Sequence, residues 1–289
     1  MDADTFHETK LHGKRTFPYI VYRGNLPAYI RSYGLHWHDE MEIITITSGR
    51  GLITVQPERY HVRSGDLLLI PPQTVHSIEQ EDGAPMEYFN ILFRFSLLCA
   101  PGDSCWEKYL RPIAEHTRRF PVFLPADAPL NGQLRPYIDD LTENRRRRYT
   151  DHELMVKSDL FAILHLLQPC CEDADISART RTAQEKLKKV LLFIREQYPS
   201  PITVREAAKL CSFSPSYFEK LFRELTGTSF TQYLKDYRLE AAAQLLDTGL
   251  SVTEASSRSG FDSPSYFTRA FAAKYGMTPS AYRKRPHVQ

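Results

Sequence analysis

Four side chains in the first third of this 289-residue chain could act together: His36, His38, Glu42 and His76. His36, His38 and Glu42 stand at even spacing, so on an extended strand all three project from one face. The spacing predicts that they share one strand and that His76 arrives from a neighbouring one. Imidazoles and a carboxylate converging on one point suit two kinds of chemistry. They can ligate a divalent metal at about 2.0–2.2 Å, or they can line a plain pocket that hydrogen-bonds a polar molecule at about 2.7–3.2 Å. In the metal case Glu42 is the single anionic ligand, leaving a net positive site for an anionic or hydroxyl-bearing small molecule.

A second set of residues repeats. Ser214-Pro-Ser-Tyr-Phe218 recurs letter for letter as Ser263-Pro-Ser-Tyr-Phe267, and Phe222, Gly227 and Tyr233 recur as Phe271, Gly276 and Tyr282. Upstream, Val204-x-Glu206-Ala207 recurs as Val252-x-Glu254-Ala255. Each copy reads as two short helices around a tight break. Thr203-x-x-Glu206 and Ser251-x-x-Glu254 are capping boxes, Ser-Pro opens each second helix, and Gly227 or Gly276 stops it. Helical spacing turns Phe218, Leu221, Phe222 and Leu225 inward. Ser216, Glu219, Lys220 and Arg223 are then expected to point outward, and Ser265, Thr268 and Arg269 likewise in the second copy. Small polar and basic side chains on an exposed helix suit entry into a DNA major groove. Between the copies, Ser229 to Thr248 reads as one helix of about twenty residues, near 30 Å long. Successive major grooves on one face of DNA recur about every 34 Å, so such a helix could hold two reading helices one turn apart.

The elements that must position these residues follow from patterning. From Phe17 to Phe95 short apolar runs alternate with Gly/Pro punctuation (Met41–Ile46, Leu52–Val55, Leu67–Ile70, Val75–Ile78, Tyr88–Phe95), the pattern of a barrel or sandwich. Leu130–Asn144 and Asp151–Cys171 read as helices, the second with an apolar stripe of Leu154, Leu160, Ile163, Leu164 and Leu167. Arg145–Arg148 between them reads as a solvated turn, and Glu172–Thr182 as an interdomain linker. The fold class expected is α+β: a β-barrel followed by helices, then an all-α domain of two helix-turn-helix units joined by a long helix. The expected boundaries are 1–171 (barrel about 17–95, helices about 103–171), linker 172–183, and 184–289.

The C-terminal part resembles the DNA-binding domain of AraC/XylS-family transcription regulators. The resemblance rests on Gly260-Phe261, Ser265-Tyr266-Phe267-x-x-x-Phe271 and Lys274-Tyr275-Gly276-x-x-Pro279-x-x-Tyr282-Arg283. It implies base contacts from Ser216, Glu219 and Lys220 and from Ser265, Thr268 and Arg269; Pro215 and Pro264 stand where many members have polar or basic residues. The N-terminal part resembles a cupin. Motif one is matched at His36, His38, Glu42 and Gly49, and motif two at Gly65, Pro71 and His76, with departures at Gln73 (glycine is usual) and Gln80 (asparagine is usual). A cupin implies His36, His38, Glu42 and His76 as metal ligands, whereas the regulator family often keeps the barrel as an effector sensor without metal. The combination implies a regulator, with activation the commoner mode, that binds promoter DNA, a small-molecule effector such as a sugar, RNA polymerase and a second copy of itself through the helices after the barrel. The alternatives are a metal-dependent cupin enzyme fused to a DNA-binding domain and an effector-independent DNA-binding protein.

Composition fits. Apolar residues make up 42% and charged residues 25%, a globular balance. From Gln184 onward 16 Lys and Arg face 10 Asp and Glu; with a net charge of +2 overall, the basic excess sits at the C-terminal end, as nucleic-acid binding would favour. No apolar run reaches the roughly 18–20 residues a bilayer requires, and Met1-Asp2-Ala3-Asp4 opens no signal peptide, so a cytoplasmic location is expected. The five cysteines include no C-x-x-C pair and are expected to be reduced thiols. Trp37, alternating with His36 and His38, is expected in wall packing. Tyr19, Tyr22, Arg31 and Tyr33 are candidate polar groups of the pocket. No nucleophile elbow, phosphate loop or further carboxylate constellation points to catalysis.

Overall fold

The computed structural model describes residues 12–27, 32–142, 151–174 and 178–285. Arg31 and the Arg145–Arg148 run lie outside the described residues. The described residues divide into two compact units, one ending at Ala174 and the other beginning at Ala178.

The first unit is antiparallel sheet backed by helices. Its strands are β1 (Tyr19–Leu26), β2 (Ser32–His36), β3 (Met41–Val55), β4 (Glu58–Arg63), β5 (Leu67–Ile70), β6 (His76–Gln80) and β7 (Met86–Phe93). After them come α1 (Arg111–Ala114), β8 (Arg118–Arg119), β9 (Phe123–Leu124), α2 (Pro129–Thr142), α3 (His152–Leu167) and β10 (Glu172–Asp173). The two runs Met41–Ile46 and Leu52–Val55 are one strand, not two. The polar stretch between them is a register shift at Ile46/Ser48 rather than a turn. β3 therefore serves two layers. Its first part pairs with β5 and β7, and its second part pairs with β4 and β6; β2 joins through β6.

Alternation sorts the apolar residues. Ile44, Ile46, Leu68 and Ile70 pack with Ile53, Val55, Ile78, Met86 and Tyr88 inside the barrel. Met41, Ile43, Leu67, Leu69, Ile91 and Phe93 pack outward against Leu134, Ile138, Leu160, Ile163, Leu164 and Leu167. Helices cover the second face, so β5 reads Leu-Leu-Leu-Ile with no polar position. The α3 stripe thus covers this chain's own sheet. Leu154 departs from it and is 71% exposed: six residues before Leu160, it stands about 240° around the helix. Trp37 is buried.

The second unit is helical: α4 (Ala178–Gln197), α5 (Val204–Leu210), α6 (Pro215–Thr226), α7 (Phe230–Asp247), α8 (Val252–Arg258), α9 (Pro264–Tyr275) and α10 (Pro279–Arg283). The expected 172–183 linker is shorter than the sequence suggested. Glu172 and Asp173 pair with Arg119 and Arg118 in a two-stranded ladder, and α4 already begins at Ala178. The low apolar content that reads as linker belongs to the first turns of α4; its core contacts, Leu187, Val190, Leu191 and Ile194, come later.

Both capping boxes form, with Thr203 and Ser251 accepting from Glu206 and Glu254. Gly227 and Gly276 end α6 and α9 at φ 76° and 71°. The repeat extends to ring geometry: Phe222 meets Tyr233 at 5.4 Å and 82°, and Phe271 meets Tyr282 at 5.2 Å and 80°.

Candidate functional site

His36, His38, Glu42 and His76 come together, though not from one strand. His36 ends β2, His38 lies in the connection, and Glu42 is the second residue of β3. The bend at Asp39–Glu40 interrupts the predicted strand. Convergence comes instead from the sheets. His76 is the cross-strand partner of His36, with ring centroids 4.2 Å apart. Glu42 shares the inward parity of Ile44 and Ile46, and His76 that of Ile78. His38, Glu42 and His76 are buried, and the ligand nitrogens of the three histidines lie within 4.8 Å of one another.

The hydrogen bonds define what these rings present. Nδ1 of His36 meets the Gly34 carbonyl at 2.9 Å, that of His38 the Glu40 carbonyl at 3.0 Å, and that of His76 the Thr74 carbonyl at 2.8 Å. A carbonyl only accepts, so each Nδ1 carries the proton and, in a neutral ring, Nε2 carries the lone pair. The tautomers are inferred from these partners. Burial, then His76 and His38, push the His36 imidazole down to about 3, so it stays neutral. Burial would raise the Glu42 carboxyl, but a second proton on His76 and on His38, placing N–H groups against its oxygen, outweighs burial and holds the group ionised far below the usual carboxylate range.

Glu42 Oε2 lies 3.2 Å from His38 Nε2 and 2.8 Å from His76 Nε2. A lone pair facing a carboxylate at that distance is repulsive unless a proton or a cation lies between them. Neighbouring ligand atoms at right angles around one six-coordinate divalent ion, at about 2.0–2.2 Å from it, sit roughly 3 Å from one another. The three oriented imidazoles therefore fit a divalent metal, with the Glu42 carboxylate beside two of them, and the carbonyl contacts at Nδ1 are the outer-shell partners that metal-binding histidines ordinarily carry.

Other groups around the site carried no sequence pattern. His12 is buried, its Nδ1 is 3.3 Å from the Tyr22 hydroxyl, and its ring is 5.7 Å from that of His38. Burial, then Tyr33 and Glu42, push the Tyr88 hydroxyl above its usual range, which keeps it a donor. Arg94 Nε donates to buried Glu40 at 2.7 Å, steadying the residue whose carbonyl orients His38. Tyr19 is not a pocket group; its hydroxyl donates to the Leu141 carbonyl on α2 at 3.0 Å.

In the helical unit Ser216, Lys220, Arg223, Ser265 and Arg269 are exposed. Glu219 and Thr268, repeat counterparts, are half-buried instead of outward. Each follows a buried phenylalanine by one residue, only about 100° around the helix, and the Thr268 hydroxyl is engaged with the Pro264 carbonyl at 2.9 Å. Glu219 lines a shallow groove with Lys220, Arg223 and Glu224. Several bases counted in the C-terminal excess hold the unit together: Arg238 donates to the Tyr198 and Ser200 carbonyls, Lys274 pairs with Glu240 at 2.7 Å, and Arg285 pairs with Asp247 at 2.8 Å.

Two family models match these units. One, described as an AraC-like ligand binding domain, covers residues 21–148, and the other, a helix-turn-helix domain, covers residues 207–285. This chain belongs to the AraC family of transcription regulators. The HTH-type regulator YdeC of Bacillus subtilis is similar at 25% identity over 277 residues, 94% of each chain. The MmsAB operon regulatory protein of Pseudomonas aeruginosa is 29% identical over 258 residues, covering 86% of this chain and 76% of that one. Among solved structures, ToxT of Vibrio cholerae aligns with 92% of this chain and 97% of its own, at 14% identity and a TM-score of 0.46. The protein is thus a DNA-binding regulator with an N-terminal ligand-binding domain.

For this AraC-family regulator, sequence reasoning missed His12 and Tyr88, and also Tyr217 and Tyr266, which occupy matching positions on α6 and α9 at 39% and 46% exposure. The repeated Ser-Tyr-Phe was the available signal, since only its phenylalanine is buried. The Gln73 departure also has an explanation: the position has φ 59°, and its N–H donates to the His38 carbonyl at 2.7 Å. Backbone demand for the left-handed region, not side-chain chemistry, is what glycine would satisfy there. Among the described residues no helix is long and apolar enough to cross a membrane.

Proposed function

We propose that a small effector bound at His36, His38, Glu42 and His76 controls binding of promoter DNA by α6 and α9. The observation that supports this reading is the set of Nε2 lone pairs and one carboxylate directed into a common buried point. A divalent metal held by these four side chains would supply a Lewis-acid site for a carboxylate or hydroxyl oxygen. His12, Tyr22 and Tyr88 add hydrogen-bonding groups nearby, and the polar character of the site favours a sugar or organic acid.

On the DNA side Ser216, Lys220, Arg223, Ser265 and Arg269 are the residues proposed to reach bases or phosphates, with Glu219 and Thr268 at the groove edge. Glu219 could accept from a cytosine amino group. Three relatives carry the name transcriptional activator RhaR, which favours activation, and hence contact with RNA polymerase. A homodimer in the cytoplasm completes the reading, with the exposed Leu154 side of α3 available to it. The competing reading is a metal-dependent enzyme fused to a DNA-binding unit, which the regulator relatives do not favour.

The test pairs two measurements on the full chain. Elemental analysis after chelator-free purification compares the parent with His38→Ala, and a thermal-shift screen covers sugars, organic acids and divalent metals. Stoichiometric metal lost in the variant supports the metal form; a metal-free parent stabilised by an effector supports the plain pocket. Absence of metal, together with no stabilising effector, sinks the sensor reading. Turnover of any screened compound would favour the enzyme.

A further inference from the structure

A second cluster of ligand-type side chains lies away from the histidines, in the segment that leaves the sheet and enters α1. Cys99, Asp103 and Cys105 each place one ligand atom within 4.8 Å of the other two. Cys99 belongs to the core packed between sheet and helices and is 8% exposed. Asp103 and Cys105 are exposed, so the cluster is rooted in the core and open to solvent on one side. The Cys99 thiol is within hydrogen-bond reach of both Cys105 and Asp103. Asp103 is itself anchored, because the Cys105 main-chain N–H donates to its Oδ1 at 2.7 Å.

We infer that Cys99, Asp103 and Cys105 form a binding site for a thiophilic divalent cation of the zinc class. A zinc-type ion takes thiolate sulfur at about 2.3 Å and carboxylate oxygen at about 2.0–2.2 Å, which places tetrahedral ligand atoms roughly 3.5–4 Å apart. The spacing of this cluster accommodates that. All three groups bind as anions, and ionising two of them side by side is unfavourable until a cation neutralises them. Two sulfurs select a soft or borderline ion over magnesium or calcium. Three protein ligands leave a fourth position for water, on the side where Asp103 and Cys105 meet solvent. Counting cysteines hides this site, because its pattern is Cys-x3-Asp-x-Cys rather than C-x-x-C.

The experiment titrates the reduced full-length protein with Cd2+ and, separately, Co2+, following the thiolate-to-metal charge-transfer band. His36, His38, Glu42 and His76 contain no sulfur, so metal bound there is silent in this band and the two sites report independently. The band is expected to saturate at one ion per chain beyond any that the histidine site takes up. Cys105→Ser should abolish it, and Asp103→Asn should weaken binding by more than about tenfold, the lower range seen when even outer-shell partners are lost. Both positions are exposed, and thermal melts of the apo variants confirm that they fold. Cys170→Ser/Cys171→Ser should leave the band intact. The inference is overturned by absence of the band in the fully reduced parent, by its survival in Cys105→Ser, or by its loss in the Cys170/Cys171 variant. A Cys99–Cys105 disulfide whose reduction restores no metal binding overturns it equally.

Discussion

The break in the second helix-turn-helix unit should be intolerant of the residue that the first unit uses at the same place. Ser212 and Gly260 are repeat counterparts, with φ 55° and 81°. Ser212 sits in the left-handed well that L residues enter at a cost of roughly 1–2 kcal/mol. Gly260 lies beyond it, and a Cβ there would come 2.7 Å from the Tyr198 carbonyl oxygen and 2.8 Å from that of Pro199. Those oxygens are main chain, and Tyr198 O also accepts from Arg238, so they cannot swing aside as a side chain would. Gly260→Ser should therefore incur the left-handed cost plus an overpacking cost of about 1–3 kcal/mol, together about 2–5 kcal/mol. At roughly 4 °C or more per kcal/mol for a unit of this size, the helical unit should melt at least about 8 °C lower. Ser212→Gly, which relieves strain in the first unit, should be neutral or slightly stabilising. Thermal unfolding of the full chain by circular dichroism reads both. A Gly260→Ser protein melting within about 2 °C of the parent would refute the steric argument.

Lys220→Ala and Arg269→Ala should each weaken specific promoter binding by about 1–3 kcal/mol if they contact bases; footprints identical to the parent's for both would remove these faces from the interface. Gln73→Gly should raise stability by up to about 1 kcal/mol, since glycine accepts positive φ freely, and a lower melting point would show that the side chain matters. Metal-free protein should lose stability as pH falls. His36, depressed to about 3 in the fold, binds its proton only in the unfolded chain from roughly pH 6.5 downward, and depressed Glu42 acts in the same direction below its unfolded value of about 4.3. Melting points from pH 7.5 to 5 should fall in the parent and fall less in His36→Gln; parallel curves would exclude His36 as a source.

The helical unit was legible because its signals are local. Capping boxes, Ser-Pro starts and glycine stops act within four residues, and an exact repeat states them twice. The half-buried state of Glu219 and Thr268 was less visible, since a helical wheel divides positions into two faces while the packing has a flank. In the first unit the four chemical residues were legible by type, but the strand that should have joined three of them is broken at Asp39–Glu40, and the sheets perform the convergence instead. His12 and Tyr88 approach the site only through tertiary packing, 24 residues before His36 and 12 after His76. No spacing rule reaches that far.

The middle of α7 carries Ala241, Ala242 and Ala243, all buried. Three consecutive residues cover about 200° of a helix, so α7 is enclosed over most of its circumference, and it lies against α6, α8, α9 and α10. Such a helix has no room to bend between the two reading units. A promoter with one base pair added between its half-sites presents the second half-site turned by roughly a tenth of a turn, and α7 itself offers no hinge with which to follow. Under the proposed two-groove reading, promoters served by this regulator can drift in sequence within either half-site, while the interval between them is held at one length.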